Sequence, residues 1–351
     1  MTKNYARKDI QKIAGYTPGE QLSGRRIVKL NTNENPYPPS EKVEEAVRSF
    51  PWEELRLYPD PTALPLRKAA AGLYGIPEEC IICGNGSDDL LTIGLRTFVG
   101  AGEGFAFPEP SYSLYPVLSQ LQAARPIPVQ LTEEFELPED AAAQAAGARL
   151  FILARPNAPT GNAFPIDKIR GLCRDFDGVV WIDEAYADFA DDNCLGLVKE
   201  FPNVVVSRTF SKSYSLAGMR LGIAFGDSGL VSEMNKLKDS YNTDRVSQAA
   251  GLAALADQDH LRDSVARIRA TRARVSSSLS SMGWRVLPSQ ANFILARPSR
   301  ISARELFRLL RDRGILVRYF PLPRVDEYLR ITIGTDGEMD EFLAAVRACG
   351  A

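Results

Sequence analysis

Histidine is nearly absent from this chain of 351 residues: there is one, His260, at the start of a polar helical segment. That excludes a site in which several histidines hold a metal, and it leaves a serine–histidine–aspartate triad little support. Cysteine is scarce and odd in number, five residues scattered along the length, which argues against a disulfide framework. Cys80 and Cys83 form a C-x-x-C inside the apolar run "CIICG", but no second pair follows, so it reads as strand core and no metal site is expected. Neither sign of charge is in excess: Lys+Arg 42 against Asp+Glu 44 gives a formal charge of −2, with no basic footprint for nucleic acid or anionic lipid. Long hydrophobic runs are missing too, none approaching the roughly 18 residues of a membrane helix. The opening "MTKNYARKDIQK" is polar throughout and unlike a secretory signal, so a cytoplasmic protein is expected. No internal repeat or low-complexity linker is present. A chain so poor in the usual catalytic side chains is suited to chemistry borrowed from a cofactor.

What is there is ordinary for a globular protein, with 45% apolar and 25% charged residues, and the length favours two domains over one. Residues 41–50, "EKVEEAVRSF", place Val43, Ala46, Val47 and Phe50 on one helical face. Short apolar runs then alternate with helical or loop segments: "ECIICG" (79–84), "GFAFPEP" (104–110), "ARLFILARPN" (148–157), "GVVWIDEAY" (178–186), "NVVVSRTF" (203–210) and "LGIAFG" (221–226). Such runs between helices read as strands buried on both faces of a mainly parallel sheet. The 221–226 run follows its predecessor too closely for a helical crossover, which makes it a candidate antiparallel member. Beyond about residue 245 the texture changes. Leu261, Val265, Ile268, Val275, Leu279 and Met282 keep helical spacing up to Gly283. "SARELFRLLRDRG" follows, with Ser302 and Glu305 spaced as a capping box and Gly314 as the C-cap, and "ILVRYF" and "YLRITIG" complete a smaller α+β unit.

Polar residues recur where the central strands end: Asn157 after "LFILARP", Asp183 and Tyr186 in "VVWIDEAY", Lys212 soon after "VVVSRTF". Ligands of open α/β sheets sit at the carboxyl ends of strands, so these residues are candidates for one crevice. Taken singly each has a plainer reading, as turn residue, cap or solvated lysine. "GNGSDD" (84–89) follows a strand and opens a helix, and the N–H groups of Ser87 and Asp88 there suit a phosphate. Thr209, Ser211 and Arg220 add hydroxyls and a cation for the same anion. In "SRTFSKSYSLAGMRLG" the lone Lys212 then stands where it would be attached to the other end of that ligand.

That segment resembles the cofactor-lysine segment of fold-type-I aminotransferases that depend on pyridoxal 5′-phosphate (PLP). "NENPYPP" (33–39), "LYPDP" (57–61), "GNGSDD", "PSYSLY" (110–115), "RPNAPTGN" (155–162), "WIDEAY" and "YLRITIG" (328–334) resemble successive blocks of the histidinol-phosphate aminotransferase branch. The resemblance implies an α/β fold with a three-layer αβα large domain on a mainly parallel sheet, plus a smaller α+β domain. It also implies an arm at 1–35 associated with the small domain, a PLP-binding domain at 36–245 and a small C-terminal domain at 246–351. Lys212 would carry the cofactor covalently, with Asp183 on the pyridine nitrogen, Tyr186 and Asn157 on the phenolic oxygen and Tyr112 on the ring face. Ser87, Asp88, Thr209, Ser211 and Arg220 would surround the phosphate, joined by Tyr58 from the other subunit of a homodimer. Tyr16, Asn35 and Arg330 would face substrate, with Arg318 and Arg324 as further candidates for its phosphate. The implied reaction is transamination between L-histidinol phosphate and 2-oxoglutarate. An aromatic aminotransferase and a threonine-phosphate decarboxylase share the same resemblance. A PLP-sensing regulator would carry a DNA-binding segment ahead of "NENPYPP", where only about 30 residues stand.

Overall fold

A computed structural model describes residues 4–8, 10–15, 19–20 and 27–351. Its strands are, in chain order, β1 (Val28–Lys29), β2 (Ile81–Gly84), β3 (Gly104–Glu109), β4 (Arg125–Gln130), β5 (Ala148–Ala154), β6 (Val179–Asp183), β7 (Val204–Thr209), β8 (Gly222–Gly226), β9 (Arg285–Val286), β10 (Phe293–Arg297), β11 (Ile315–Leu316), β12 (Arg318–Tyr319) and β13 (Leu329–Thr332). Seven of them form one sheet in the order β2-β8-β7-β6-β5-β3-β4. All its pairings are parallel except the two made by β8, which runs against both β2 and β7. The antiparallel placement expected for residues 221–226 is therefore correct.

Both faces of the central strands β5 to β8 are buried. On one side Val204, Val206, Val180, Ile182, Phe151 and Leu153 join the larger core. On the other, Val205, Trp181, Leu150 and Ile152 pack with Leu90 and Leu91 of the helix Ser87–Phe98. The period of two along β7 thus divides between two helical layers, as a continuous valine run requires. Sequence reading missed β4, "RPIPVQ". Two prolines remove two ladder donors, and the strand is tolerated because it lies at the sheet's edge.

The C-terminal unit is a four-stranded antiparallel sheet, β12-β13-β10-β9, with the helices Gln258–Ser281, Ala303–Asp312 and Asp336–Ala348. Ser302 caps the second through its hydroxyl, 3.2 Å from the Glu305 amide, and Gly314 follows its end at φ +81°. The reciprocal capping box forms further on, between Thr335 and Glu338. From the other end of the chain, β1 adds in parallel to β11, and the amide of Thr332 donates to the carbonyl of Leu30 at 3.0 Å. The segment after β1 is thereby laid against the mouth of the large sheet.

Candidate active site

Strand register brings the site together. Asp183, the last residue of β6, lies opposite Ser207 of β7, while Thr209 at the end of β7 and Gly84 at the end of β2 both lie opposite Gly222 of β8. These ends border a cavity of about 210 Å³, closed from above by Asn31, Thr32 and Asn33 and from the C-terminal unit by Arg318 and Arg330.

One wall of it is built to hold an anion. The helix Ser87–Phe98 starts after Gly86, whose φ of +87° and missing side chain leave the first amides uncapped. A Cβ on Gly86 would come within 2.6 Å of Arg220 Nη2, and one on Gly222 within 2.6 Å of the Ser87 amide nitrogen, so both glycines are required for this close approach. Arg220 is held in the left-handed region, φ +49°, and its Nη1 donates to the Ser211 hydroxyl at 3.4 Å. The Ser211 amide in turn donates to Thr209 Oγ1 at 3.2 Å. Asp88 is only 3.8 Å from Arg220, but both are half exposed and the pair contributes little.

The lining also carries a carboxylate with one unpartnered oxygen. Asp183 is buried; its Oδ2 accepts a 3.2 Å hydrogen bond from the Tyr115 hydroxyl, and its Oδ1 has no partner. Burial, and then the nearby charge of Asp88, push its pKa up to about 7. An ionised oxygen left this way is costly until a cationic N–H reaches it.

Lys212 borders the same cavity. Its Nζ donates to the Thr32 carbonyl at 3.0 Å and sits 5.8 Å from the centre of the Tyr186 ring. Burial, and then the Arg330 guanidinium, bring its pKa down to about 8, against the opposing pull of Glu34 and Asp88. The Tyr186 hydroxyl accepts from Asn33 Nδ2 at 2.9 Å, and the Tyr112 hydroxyl donates to Asp88 Oδ1 at 3.3 Å.

Arg330 of β13 stands directly opposite Arg318 of β12, so two guanidinium groups border the cavity on paired strands. Arg330 is further fixed by a 3.0 Å bond to the Asn31 carbonyl and lies 5.3 Å from the ring centres of Phe293 and Phe320. Like charges in direct register repel, and an anion shared between them relieves the repulsion.

Two expected substrate contacts, Asn35 and Arg324, do not border this cavity. Asn35 instead directs its amide to the Ser213 carbonyl and the Ser264 hydroxyl, both at 3.1 Å, and accepts from the Tyr37 amide. Arg324, in a left-handed turn at φ +70°, donates to the carbonyls of Leu131 and Thr132 and borders a separate cleft. Tyr16 lies outside the described residues. Asn157 is buried next to Ala158, which borders the cavity, and its side chain is bonded to Pro110, Thr160 and Ser111. Tyr58 is 75% exposed, stacked on Tyr241 at 4.4 Å, away from its own chain's cavity. Conversely, Asn33, Thr32 and Tyr115 were missed. So was the buried chain in which Arg208 donates to Glu184 at 2.9 Å and approaches Asp188 at 3.4 Å.

A buried lysine amine, a carboxylate oxygen without a partner and an anion cradle around one cavity, at the carboxyl ends of a doubly covered sheet, match one family of enzymes. Residues 25–346 fit the family model "Aminotransferase class I and II", and the chain belongs to that family. Its relatives there are more particular. The histidinol-phosphate aminotransferase of Microcystis aeruginosa is 45% identical over 338 residues, 96% of each chain. That of Geobacter sp. strain M21 is 46% identical over 345 residues, 98% of each. The histidinol-phosphate aminotransferase of Sinorhizobium meliloti, solved in complex with pyridoxal-5′-phosphate, superimposes with a TM-score of 0.91 at 27% identity over 99% of both chains. The fold-type-I α/β architecture expected from the motifs is borne out. PLP is the cofactor, and the residues present fit it: the partnerless Asp183 Oδ1 suits a protonated ring nitrogen, and the Gly86–Arg220 cradle suits its phosphate.

Proposed function

We propose that this chain transfers the amino group of L-histidinol phosphate to 2-oxoglutarate, yielding imidazole acetol phosphate and glutamate in histidine biosynthesis. The names of its relatives support the substrate. The chemistry rests on one observation: Lys212 Nζ and the unpartnered Asp183 Oδ1 border a single cavity. When bound, PLP supplies an aldehyde for the amine and a ring that draws electrons from the α-carbon. The amides of Ser87 and Asp88, the hydroxyls of Thr209 and Ser211 and the Arg220 guanidinium bind its phosphate. Asp183 Oδ1 accepts from the ring nitrogen and holds it protonated, while Tyr186, braced by Asn33, and Tyr112 orient the ring. Lys212 Nζ, with a pKa near 8, takes and returns a proton close to neutral pH. Arg330 and Arg318 receive the substrate phosphate in one half of the reaction and a carboxylate of 2-oxoglutarate in the other, since a guanidinium forks onto either.

The same reading includes a homodimer in which Tyr58 serves the partner's phosphate site. Tyr58 shares its surface with exposed Trp52, Leu55 and Leu57, an apolar patch that a second copy would cover. It also divides the chain into an arm at 1–35, a large domain at 36–245 and a small domain at 246–351, and places the enzyme in the cytoplasm. No helix among the described residues is long and apolar enough to cross a membrane.

An amino-donor screen on the purified holoenzyme, with 2-oxoglutarate as acceptor, tests the assignment. Histidinol phosphate is expected to give the highest kcat/KM. A better value with phenylalanine or tyrosine moves the chain to the aromatic aminotransferases. Carbon dioxide released from threonine phosphate without glutamate makes it a lyase.

A further inference from the structure

The residue after Lys212 is gripped from two sides. The Ser213 hydroxyl donates to Asp188 Oδ2, and its carbonyl accepts from Asn35 Nδ2 at 3.1 Å. Neither grip ends there. Asp188 Oδ1 lies 3.4 Å from Arg208, which donates from Nε and Nη2 to Glu184 Oε2 at 3.1 and 2.9 Å. The other oxygen of Glu184 accepts from the Cys194 amide, so this carboxylate is fully bonded. Asn35 Nδ2 also reaches Ser264 Oγ at 3.1 Å, on the long helix of the C-terminal unit.

Glu184 is buried, with a side chain 0% exposed, and Arg208 is 11% exposed. A buried ion chain of this kind adds little stability over a well-packed apolar cluster, so its value lies in fixing geometry. What it fixes is plain from the chain order: Glu184 follows Asp183, and Arg208 precedes Thr209 by one residue on β7. The loop from Phe210 to Ser215 has no ladder of its own, and Ser215 turns it at φ +61°. A flexible lysine placed to within a fraction of an ångström needs its main chain held by something else.

We propose that Ser213 is a positioning residue, through which Asp188 and its Arg208–Glu184 anchor set where Lys212 Nζ stands relative to Asp183. The inference rests on the reading of Lys212 as the amine that couples to PLP. In a variant that misplaces the amine, that coupling slows before any substrate is present.

The test is the rate at which cofactor-free protein couples PLP, followed by absorbance, with melting temperature recorded alongside. Ser213→Ala is expected to couple about tenfold more slowly, and kcat to fall more than KM changes, while Tm stays within about 2 °C. Ser213→Thr, which keeps the hydroxyl, restores the rate. Asp188→Asn slows coupling as well, and the double variant falls no further than the worse single one, because both act through one bond. Wild-type coupling in Ser213→Ala, or a lower Tm with unchanged coupling, overturns the inference. Lys212→Ala separates the two readings: coupling that survives there overturns the role of Lys212 itself, whereas coupling lost there but intact in Ser213→Ala sinks only the positioning role.

Discussion

Asn33 and Tyr186, 153 residues apart in sequence, meet in a 2.9 Å hydrogen bond from the asparagine amide to the phenol oxygen. Asn33 has φ +57°, a left-handed conformation that asparagine tolerates. Its main chain is tied to Thr332 Oγ1 at 3.0 Å and to the Asn292 amide at 2.9 Å. Replacing Asn33 by glycine keeps the backbone conformation and removes the side-chain amide, with its bond to Tyr186 and the 3.0 Å bond it accepts from the Thr332 hydroxyl. The expected result is a drop in kcat of about tenfold, the worth of the hydrogen bond to Tyr186, with a spectral change in the bound cofactor that reports the altered Tyr186; the lost bond from Thr332 acts on stability, read from Tm. An unchanged spectrum and kcat would show that Tyr186 is oriented by other contacts, among them its edge-on packing on Phe293 at 5.1 Å.

Asp183→Asn tests the role of charge without altering shape. The asparagine still accepts from Tyr115 but cannot hold a neighbouring nitrogen protonated. Turnover should fall by about 10²–10³-fold, in the range for losing an aimed electrostatic contact, while PLP remains bound through the phosphate cradle. Steady-state kcat beside a binding titration decides it, and a kcat within threefold of wild type would contradict the assignment.

The depressed Lys212 pKa has a consequence for stability that can be read without cofactor. Its ordinary value is 10.5 and its folded value about 8. Between those pH values the unfolded chain keeps a proton that the folded chain has released, so the lysine's contribution becomes less unfavourable as pH rises through the window. Below it the full cost of burying an ammonium stands. Cofactor-free Lys212→Met should therefore be more stable than wild type at pH 7, by roughly 1–3 kcal/mol after allowing for partial exposure. The gap should shrink towards pH 10 in urea unfolding. A gap independent of pH would mean that packing, not ionisation, sets it.

Gly222→Ala removes no functional group, yet its Cβ would meet the Gly86 carbonyl carbon and the Ser87 amide nitrogen at 2.6 Å. Backbone must move to admit it. Expected are a loss of about 1–3 kcal/mol in stability, as overpacking gives, and PLP affinity weakened by on the order of tenfold. Equilibrium dialysis of the cofactor reads the second effect, and unchanged affinity would show that the helix N-terminus does not grip the phosphate.

The residues that sequence reading located best lie beside their own strands. Asp183, Thr209, Lys212 and Arg220 could be placed because the end of a buried apolar run marks the mouth of the sheet. Those it misplaced depend on turns that hydrophobic periodicity does not encode. Asn33 and Asn35 are two residues apart in one motif, and the left-handed turn at Asn33 decides which of them borders the cavity. Arg324 was a reasonable rival to Arg318 until its own left-handed backbone turned it to the carbonyls of Leu131 and Thr132. The Arg208 anchor did leave a signal. An arginine within "VVVSRT", a strand buried on both faces, needs a buried partner, and Glu184 in "WIDEAY" was the nearest candidate.

The pairing of β1 with β11, and of Leu30 and Asn33 with Thr332, orders events during synthesis. The sheet that bears Lys212, Asp183 and the anion cradle is complete once residue 226 has left the ribosome. Its covering segment is older still, but the partners Ile315, Leu316 and Thr332 that hold its backbone lie about a hundred residues further on. The full cover of the lysine-bearing groove therefore closes only after the C-terminal unit has been made, and the amine is the last part of the site to be sheltered in its final form.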